Sequence, residues 1–76
     1  MELILYTTSN CPYCRAAKDL LGQKGIAYRE IDVSEGDDFD ALVKKTGWKT
    51  VPQIFIDGTL IGGFKELLEM DRQGKI

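Results

Sequence analysis

Leu3-Ile4-Leu5-Tyr6 is a continuous apolar run followed by the polar segment Thr7-Thr8-Ser9-Asn10, which predicts a buried strand running into a loop. The period then lengthens. Ala16, Ala17, Leu20 and Leu21 recur at helical spacing behind Pro12, which suits a first helical turn, and Gly25 stops the pattern, so a helix is expected over roughly Pro12 to Lys24. Tyr28 to Val33 is aromatic and β-branched and breaks at Ser34-Glu35-Gly36, the signature of a second strand. Strand, helix, strand in a row implies a parallel crossover. Ser34 stands three residues before Asp37 in a capping-box-like arrangement, and Phe39, Leu42, Val43 and Thr46 follow at i, i+3, i+4 and i+7, giving a second helix that ends at Gly47. Ile54 to Ile56 and Thr59 to Ile61 flank Asp57-Gly58, a dipeptide that tolerates positive φ and favours a two-residue hairpin. Beyond Gly62-Gly63, the residues Phe64, Leu67, Leu68 and Asp71 share a helical face, Leu67 also reaches Met70, and Gly74 closes the run. The predicted order is βαβαββα, an α/β fold with a four-stranded mixed sheet flanked by helices.

Composition narrows the chemistry. Seventy-six residues, 43% of them hydrophobic and 29% charged, fit one globular domain over 1–76 with no linker or repeat. A core of that size buries only about 60% of the surface the unfolded chain exposes. A net charge of −2, with cations scattered among carboxylates, leaves no basic stripe for a nucleic-acid backbone. The opening apolar run is far shorter than the roughly twenty residues of a membrane span, so the expected location is cytoplasmic, without membrane or nucleic-acid partners. The chain has no histidine, which removes imidazole ligation and histidine general-base catalysis.

The two cysteines of the chain lie in Cys11-Pro12-Tyr13-Cys14, at the junction of the first strand and first helix. Positions i and i+3 share a helix face, so the pair can cycle between dithiol and disulfide. At a helix start, unpaired N–H groups and the helix dipole lower a thiol pKa from about 8.5, which marks Cys11 as the nucleophile. A buried inert pair, or half a zinc site, is the competing interpretation; with no second pair and no histidine the zinc shell cannot close within one chain. No metal and no tightly bound cofactor is expected.

Cys11-Pro12-Tyr13-Cys14, Thr50-Val51-Pro52, Asp57-Gly58 and Gly62-Gly63 together resemble the glutaredoxins of the thioredoxin-like superfamily, along essentially the whole chain. The resemblance implies a thioredoxin-like fold and a glutathione-dependent thiol–disulfide oxidoreductase, with Cys11 and Cys14 catalytic and Pro52 in a cis peptide beside them. A cis X-Pro bond turns the chain sharply and frees the preceding backbone, so Val51 would pair with the substrate. The implied glutathione site comprises Tyr13, Lys49, Thr50, Val51, Pro52, Gly63, Phe64, Lys65 and Glu66. Lys49 would meet the glycyl carboxylate, and Glu66 the γ-glutamyl ammonium, beside the N–H groups that open the third helix. Tyr13 is equally readable as a plain exposed aromatic, Trp48 as packing or a rim contact, and Lys18 as a solvated helix lysine rather than a thiolate partner.

Two positions depart from the family pattern. Thr8 replaces a lysine that many relatives carry three residues before the first cysteine, and Phe64-Lys65-Glu66 is bulkier than the usual segment and differs in charge. Gly63-Phe64-Lys65 is similar to the redoxins that thioredoxin reductase recharges and that serve ribonucleotide reductase, the alternative to glutathione. A dimeric iron–sulfur carrier built on one Cys11 per chain and two glutathiones is the third possibility. The expected partners are therefore glutathione, disulfide-containing or glutathionylated proteins and, under the alternative, ribonucleotide reductase. The expected state is a monomer.

Overall fold

The computed structural model describes all of residues 1–76. Its elements are β1 (Leu3–Thr7), α1 (Pro12–Gln23), β2 (Arg29–Asp32), α2 (Asp38–Thr46), β3 (Gln53–Ile56), β4 (Thr59–Gly62) and α3 (Phe64–Arg72). The sheet runs in the order β2-β1-β3-β4, with β1 parallel to β2 and antiparallel to β3, and β3 antiparallel to β4. Three helices and a mixed four-stranded sheet in this order are what the periodicity predicts.

The central position of β1 explains its unbroken apolar run. A strand with neighbours on both sides and helices on both faces has no solvent side to mark with polar residues. Leu3, Leu5 and Thr7 are buried on the face that carries α1 and α3, while Ile4 and Tyr6 are half-buried on the other. Leu3, Leu5, Ala17, Leu21, Ile54 and Leu67 form the core, so β1, α1, β3 and α3 meet at one seam. Each fully buried leucine there contributes roughly 1.5–3 kcal/mol by burial alone. On the opposite face Tyr6 packs edge-on against Phe55 with ring centroids 5.5 Å apart, and α2 covers the neighbouring surface through Leu42.

Turn chemistry fixes the connections. Asp57 and Gly58 adopt φ of 51° and 84°, the doubly positive pattern of a tight hairpin. Asp57 also ties down the start of the chain, its carboxylate accepting from the Glu2 N–H at 2.8 Å. Gly47, at φ 76°, ends α2 with its N–H on the Val43 carbonyl. Asp38 and Asp40 in the first turn of α2, and Lys44 and Lys45 in its last, complement the helix dipole.

The start of α2 differs from the expected capping box. Asp37 makes no side-chain cap, and Ser34 is not part of the helix start. The Ser34 hydroxyl instead accepts from the Ser9 N–H at 2.7 Å, and the Ser34 N–H donates to Asp32 Oδ1 at 2.7 Å. A tertiary partner in the loop before the cysteines outcompetes the local cap. The second strand is likewise shorter than Tyr28–Val33: Tyr28 packs against the core before β2 begins, and Val33 adds one bond beyond it, its N–H donating to the Thr7 carbonyl at 2.8 Å.

Strand β4 carries one irregularity. Ile54 pairs with Gly62 and Phe55 with Leu60, so Ile61 is an extra residue in β4. Such a bulge bends its strand and re-aims the chain beyond it. Here it delivers Gly62-Gly63 and the first turn of α3 to the end of the sheet where β1 gives way to α1.

Candidate active site

Strand β1 ends at Thr7, and the chain reverses through Asn10, whose φ of 59° is tolerated by a short polar side chain, to place Cys11 at the N-cap of α1. Pro12 occupies the first helical position, where a missing N–H costs nothing. The Cys14 N–H donates to Cys11 Sγ at 3.1 Å, so Cys11 serves as the capping acceptor. The two cysteines are joined as a disulfide across a Cα–Cα distance of 5.2 Å. They are not equivalent. Cys14 is only 2% exposed and lies on the inward face of α1, whereas Cys11 is half-buried and borders a cavity with Asn10, Pro12 and Arg15. An anion on Cys11, the capping residue, would gain the N–H groups and dipole of the helix start most directly, the Cys14 N–H already pointing at its sulfur.

A second segment approaches from the start of β3. The Val51–Pro52 peptide is cis, as the motif implied, and the Val51 carbonyl oxygen lies 3.7 Å from Cys11 Sγ, within reach of a reduced thiol's weak donor. From this point a cleft of about 580 Å³ extends toward α3. Tyr13 borders it on the cysteine side, Trp48, Thr50, Val51 and Pro52 on the β3 side, and Gly63, Phe64, Lys65, Glu66 and Leu68 at α3. Tyr13, 66% exposed, faces Phe64 with ring centroids 6.2 Å apart, and the two rings close one flank.

The far end is shaped by two glycines. Gly63 caps α3 without a side chain, and its N–H donates to Glu66 Oε1 at 2.9 Å. A Cβ on Gly63 would lie 3.3 Å from the Pro52 carbonyl oxygen, so this glycine lets α3 approach the cis-proline segment. Gly62 sits at φ 123°, and a Cβ there would come within 2.7 Å of Glu66 Cγ. Trp48 is fixed through its backbone, its N–H on Thr46 Oγ1 at 3.1 Å and its carbonyl accepting from Gln53 Nε2 at 2.7 Å. Its indole Nε1 and Gln53 Oε1 are buried and have no hydrogen-bond partner within the chain.

Of the residues the sequence singled out, the structure brings Tyr13, Thr50, Val51, Pro52, Gly63, Phe64, Lys65 and Glu66 around this one cleft, and Cys11 Sγ lies 3.7 Å from the carbonyl of one of them, Val51. Lys49 is the exception. It is exposed and does not border the cleft, because the pinned backbone of Trp48 turns the indole inward at the position before it. Glu66 is partly committed, one oxygen holding Gly63. Lys18 pairs with Glu30 at 3.0 Å, which accounts for it without a thiolate. Periodicity puts Leu68 on the core-facing stripe, yet it borders the cleft; at 38% exposure it lies one turn beyond Phe64 on the cleft side instead. Its i+4 relation to Phe64 is the signal in the sequence that marks it.

Beside the cysteines a polar cluster joins three elements. Glu30 Oε2 on β2 accepts from Thr7 Oγ1 on β1 at 2.8 Å and from Lys18 Nζ on α1 at 3.0 Å. The Thr7 hydroxyl first, then the Lys18 ammonium, hold the Glu30 carboxyl below its ordinary pKa. The chain has no cluster of three or more cysteine, aspartate or glutamate side chains that could hold a metal ion, and no helix is long and apolar enough to cross a membrane.

Residues 3–61 match the glutaredoxin family model. The chain is 44% identical over 77 residues to glutaredoxin 1 of Rickettsia conorii, covering 97% of this chain and 76% of that protein. It is 41% identical over 71 residues to glutaredoxin 3 of Escherichia coli, covering 92% and 86% of the two chains. Among solved structures, a buckwheat glutaredoxin–glutathione complex superposes with a TM-score of 0.86 at 36% identity, over 96% of this chain and 70% of that one.

Proposed function

The chain belongs to the glutaredoxin family and is a thiol–disulfide oxidoreductase by that membership, and from this premise we propose that it uses glutathione as its electron donor, with Cys11 as the attacking sulfur and Cys14 as the resolving one. The observation that carries the proposal is the continuity of the cleft. It runs from Val51, whose carbonyl stands 3.7 Å from Cys11 Sγ, to the first turn of α3, so one tripeptide can place its sulfur beside the first point and a terminal carboxylate at the second. The glutathione bound to the buckwheat relative supports the same assignment.

On a protein–glutathione mixed disulfide, the Cys11 thiolate attacks the glutathione sulfur. A Cys11–glutathione bond forms as the substrate S–S bond breaks, and the protein thiolate leaves and takes a proton from water. A second glutathione then attacks this intermediate through its thiolate, releasing oxidised glutathione and restoring Cys11. Its two electrons have passed to the substrate. On a protein disulfide, Cys11 forms the mixed disulfide with the substrate and Cys14 attacks Cys11, expelling the reduced substrate and leaving the Cys11–Cys14 disulfide for two glutathiones to reduce. Val51 supplies backbone pairing for the ligand's cysteinyl part, and Tyr13 and Phe64 shield its flank. Lys65 and the N–H groups of α3 meet its carboxylate, while the oxygen of Glu66 not bound to Gly63 accepts its ammonium.

The test is NADPH consumption with a glutathionylated peptide, supplied either by glutathione with glutathione reductase or by thioredoxin reductase alone. Turnover through glutathione is expected. Turnover only through thioredoxin reductase would overturn the proposal and assign Phe64-Lys65 to a glutathione-independent redoxin.

A further inference from the structure

The inward stripe of α1 carries Cys14, Ala17 and Leu21, at spacings of three and four, with the half-exposed Lys18 at its margin, four residues after Cys14. These three are buried and suited to a core; Lys18 is the cation beside them, one helical turn after Cys14 in the chain. Residues four apart on a helix are neighbours, and a lysine ammonium rides on a flexible four-carbon stem. Left free, Lys18 would lower the pKa of the nearer cysteine. In the dithiol that cysteine is Cys14, and a thiolate there would compete with the one the helix start favours on Cys11.

The structure shows what restrains it. Lys18 Nζ is bound to Glu30 Oε2, and the same oxygen is anchored from the other side by the hydroxyl of Thr7, a buried residue at the end of the central strand. The carboxylate is therefore fixed by β1 and in turn fixes a side chain of α1, while it sits on the edge strand. The remaining charges nearby are otherwise engaged or lie elsewhere. Arg15 borders the cavity at Cys11, the Asp32 carboxylate accepts from the Ser34 N–H, Asp19 and Arg29 are exposed, and Lys24 pairs with Asp71 where the far end of α1 meets α3.

We propose that Glu30 is a positioning residue that holds the Lys18 ammonium away from Cys14, keeping Cys14 a thiol while Cys11 ionises. The effect is on how the mixed disulfide partitions. With glutathione bonded to Cys11, Cys14 must lose its proton to water before attacking Cys11, forming the Cys11–Cys14 bond and expelling glutathione thiolate, which is then protonated. A protonated Cys14 makes this internal step slow, and the intermediate survives to meet a second glutathione. The inference rests on the assignment of Cys11 as attacking and Cys14 as resolving sulfur.

The experiment titrates Cys14 alone, in the reduced Cys11→Ser protein, by thiolate absorbance. Glu30→Gln is introduced in the presence and absence of Lys18→Met, with thermal melts to verify folding. Glutamine is isosteric and its amide oxygen still accepts from Thr7, while the loss of the negative charge removes the ion pair that holds Lys18. The expected result is a Cys14 pKa lower by about one in Glu30→Gln, or roughly tenfold more thiolate below the pKa, and little or no fall when Lys18 is also replaced. An unchanged pKa overturns the proposal, as does an equal fall without Lys18. In the protein with both cysteines, Glu30→Gln should shorten the lifetime of the Cys11–glutathione adduct. A tenfold gain in thiolate is offset by the lower nucleophilicity of a more acidic thiol, leaving a net factor of about 3; an unaltered lifetime counts against the proposal. The titration contains no glutathione, so a failure of glutathione turnover and a failure of this inference are read separately.

Discussion

Replacing Gly62 with alanine tests how the cleft's far end is held together. The residue sits at φ 123°, where an L side chain is strained, and conformations of that kind cost roughly 1–3 kcal/mol. The added Cβ would also stand 2.7 Å from Glu66 Cγ and 2.9 Å from Glu66 Oε1, so the carboxylate must move and release the Gly63 N–H it holds at 2.9 Å. A charge-assisted hydrogen bond to a half-buried glutamate contributes about 1–2 kcal/mol once solvent screening is allowed for. The two effects sum to roughly 2–5 kcal/mol. A domain of 76 residues has about 4–11 kcal/mol of stability in total. Gly62→Ala should therefore remain folded at 25 °C but melt some 10–25 °C lower, taking about 3 kcal/mol as the central loss. Urea unfolding of Gly62→Ala, Glu66→Ala and the double variant separates the contributions. With the Glu66 side chain already truncated, the three atoms nearest the added Cβ are gone and the backbone strain remains, so the double variant should be more stable than additivity predicts by about 1–2 kcal/mol. Additivity within about 0.5 kcal/mol, or a single-variant loss below about 1 kcal/mol, would refute the reasoning.

Cys14→Ser should retain deglutathionylation of a peptide while losing reduction of an intramolecular protein disulfide, and Cys11→Ser should abolish both in the coupled NADPH assay; equal loss of both activities in the two variants contradicts the division of roles. Trp48 is the one tryptophan and borders the cleft, so forming the Cys11–glutathione adduct in Cys14→Ser should alter its fluorescence, and an unchanged spectrum would place the ligand elsewhere. Glu30 has a folded-state pKa below its usual 4.5, so its contribution to stability is present above that value and is lost as pH falls through the depressed pKa. Thr7→Val removes the largest cause of the depression and should cost about 1 kcal/mol at pH 7, discounted for a side chain 37% exposed. Denaturation at pH 3 should show a smaller difference; one that grows on acidification has the wrong sign for this linkage.

What the sequence made legible was local. The apolar run of β1, the Asp57-Gly58 turn and Gly47 after α2 each carry their cause within a few residues, and the structure places all three as periodicity and turn chemistry require. What it concealed depends on partners far along the chain. Ser34 has the appearance of a helix cap until the Ser9 N–H, 25 residues away, claims its hydroxyl. Lys49 and Trp48 are adjacent and equally placed before Thr50-Val51-Pro52; the hydrogen bonds of the Trp48 backbone, its N–H donating to Thr46 and its carbonyl accepting from Gln53, decide that the indole faces the cleft. The bulge at Ile61 leaves no mark in composition, yet it aims the two glycines. The cysteine motif and the cis-proline segment were visible as motifs, but their 3.7 Å approach exists only because β1 and β3 are neighbours.

That adjacency of β1 and β3 makes the molecule divisible in a particular way. Cutting the exposed loop between Glu35 and Gly36 would leave both sulfurs, β1, α1 and β2 on one fragment, and the cis-proline, the paired glycines and α3 on the other. Neither fragment alone would hold a cleft beside a thiol, so turnover would appear only when the two had reassembled along the strand pairing that the intact chain forms internally. The redox reaction would then work as a split reporter, with the rate of NADPH loss counting reunited molecules and fused partners setting how often the halves meet.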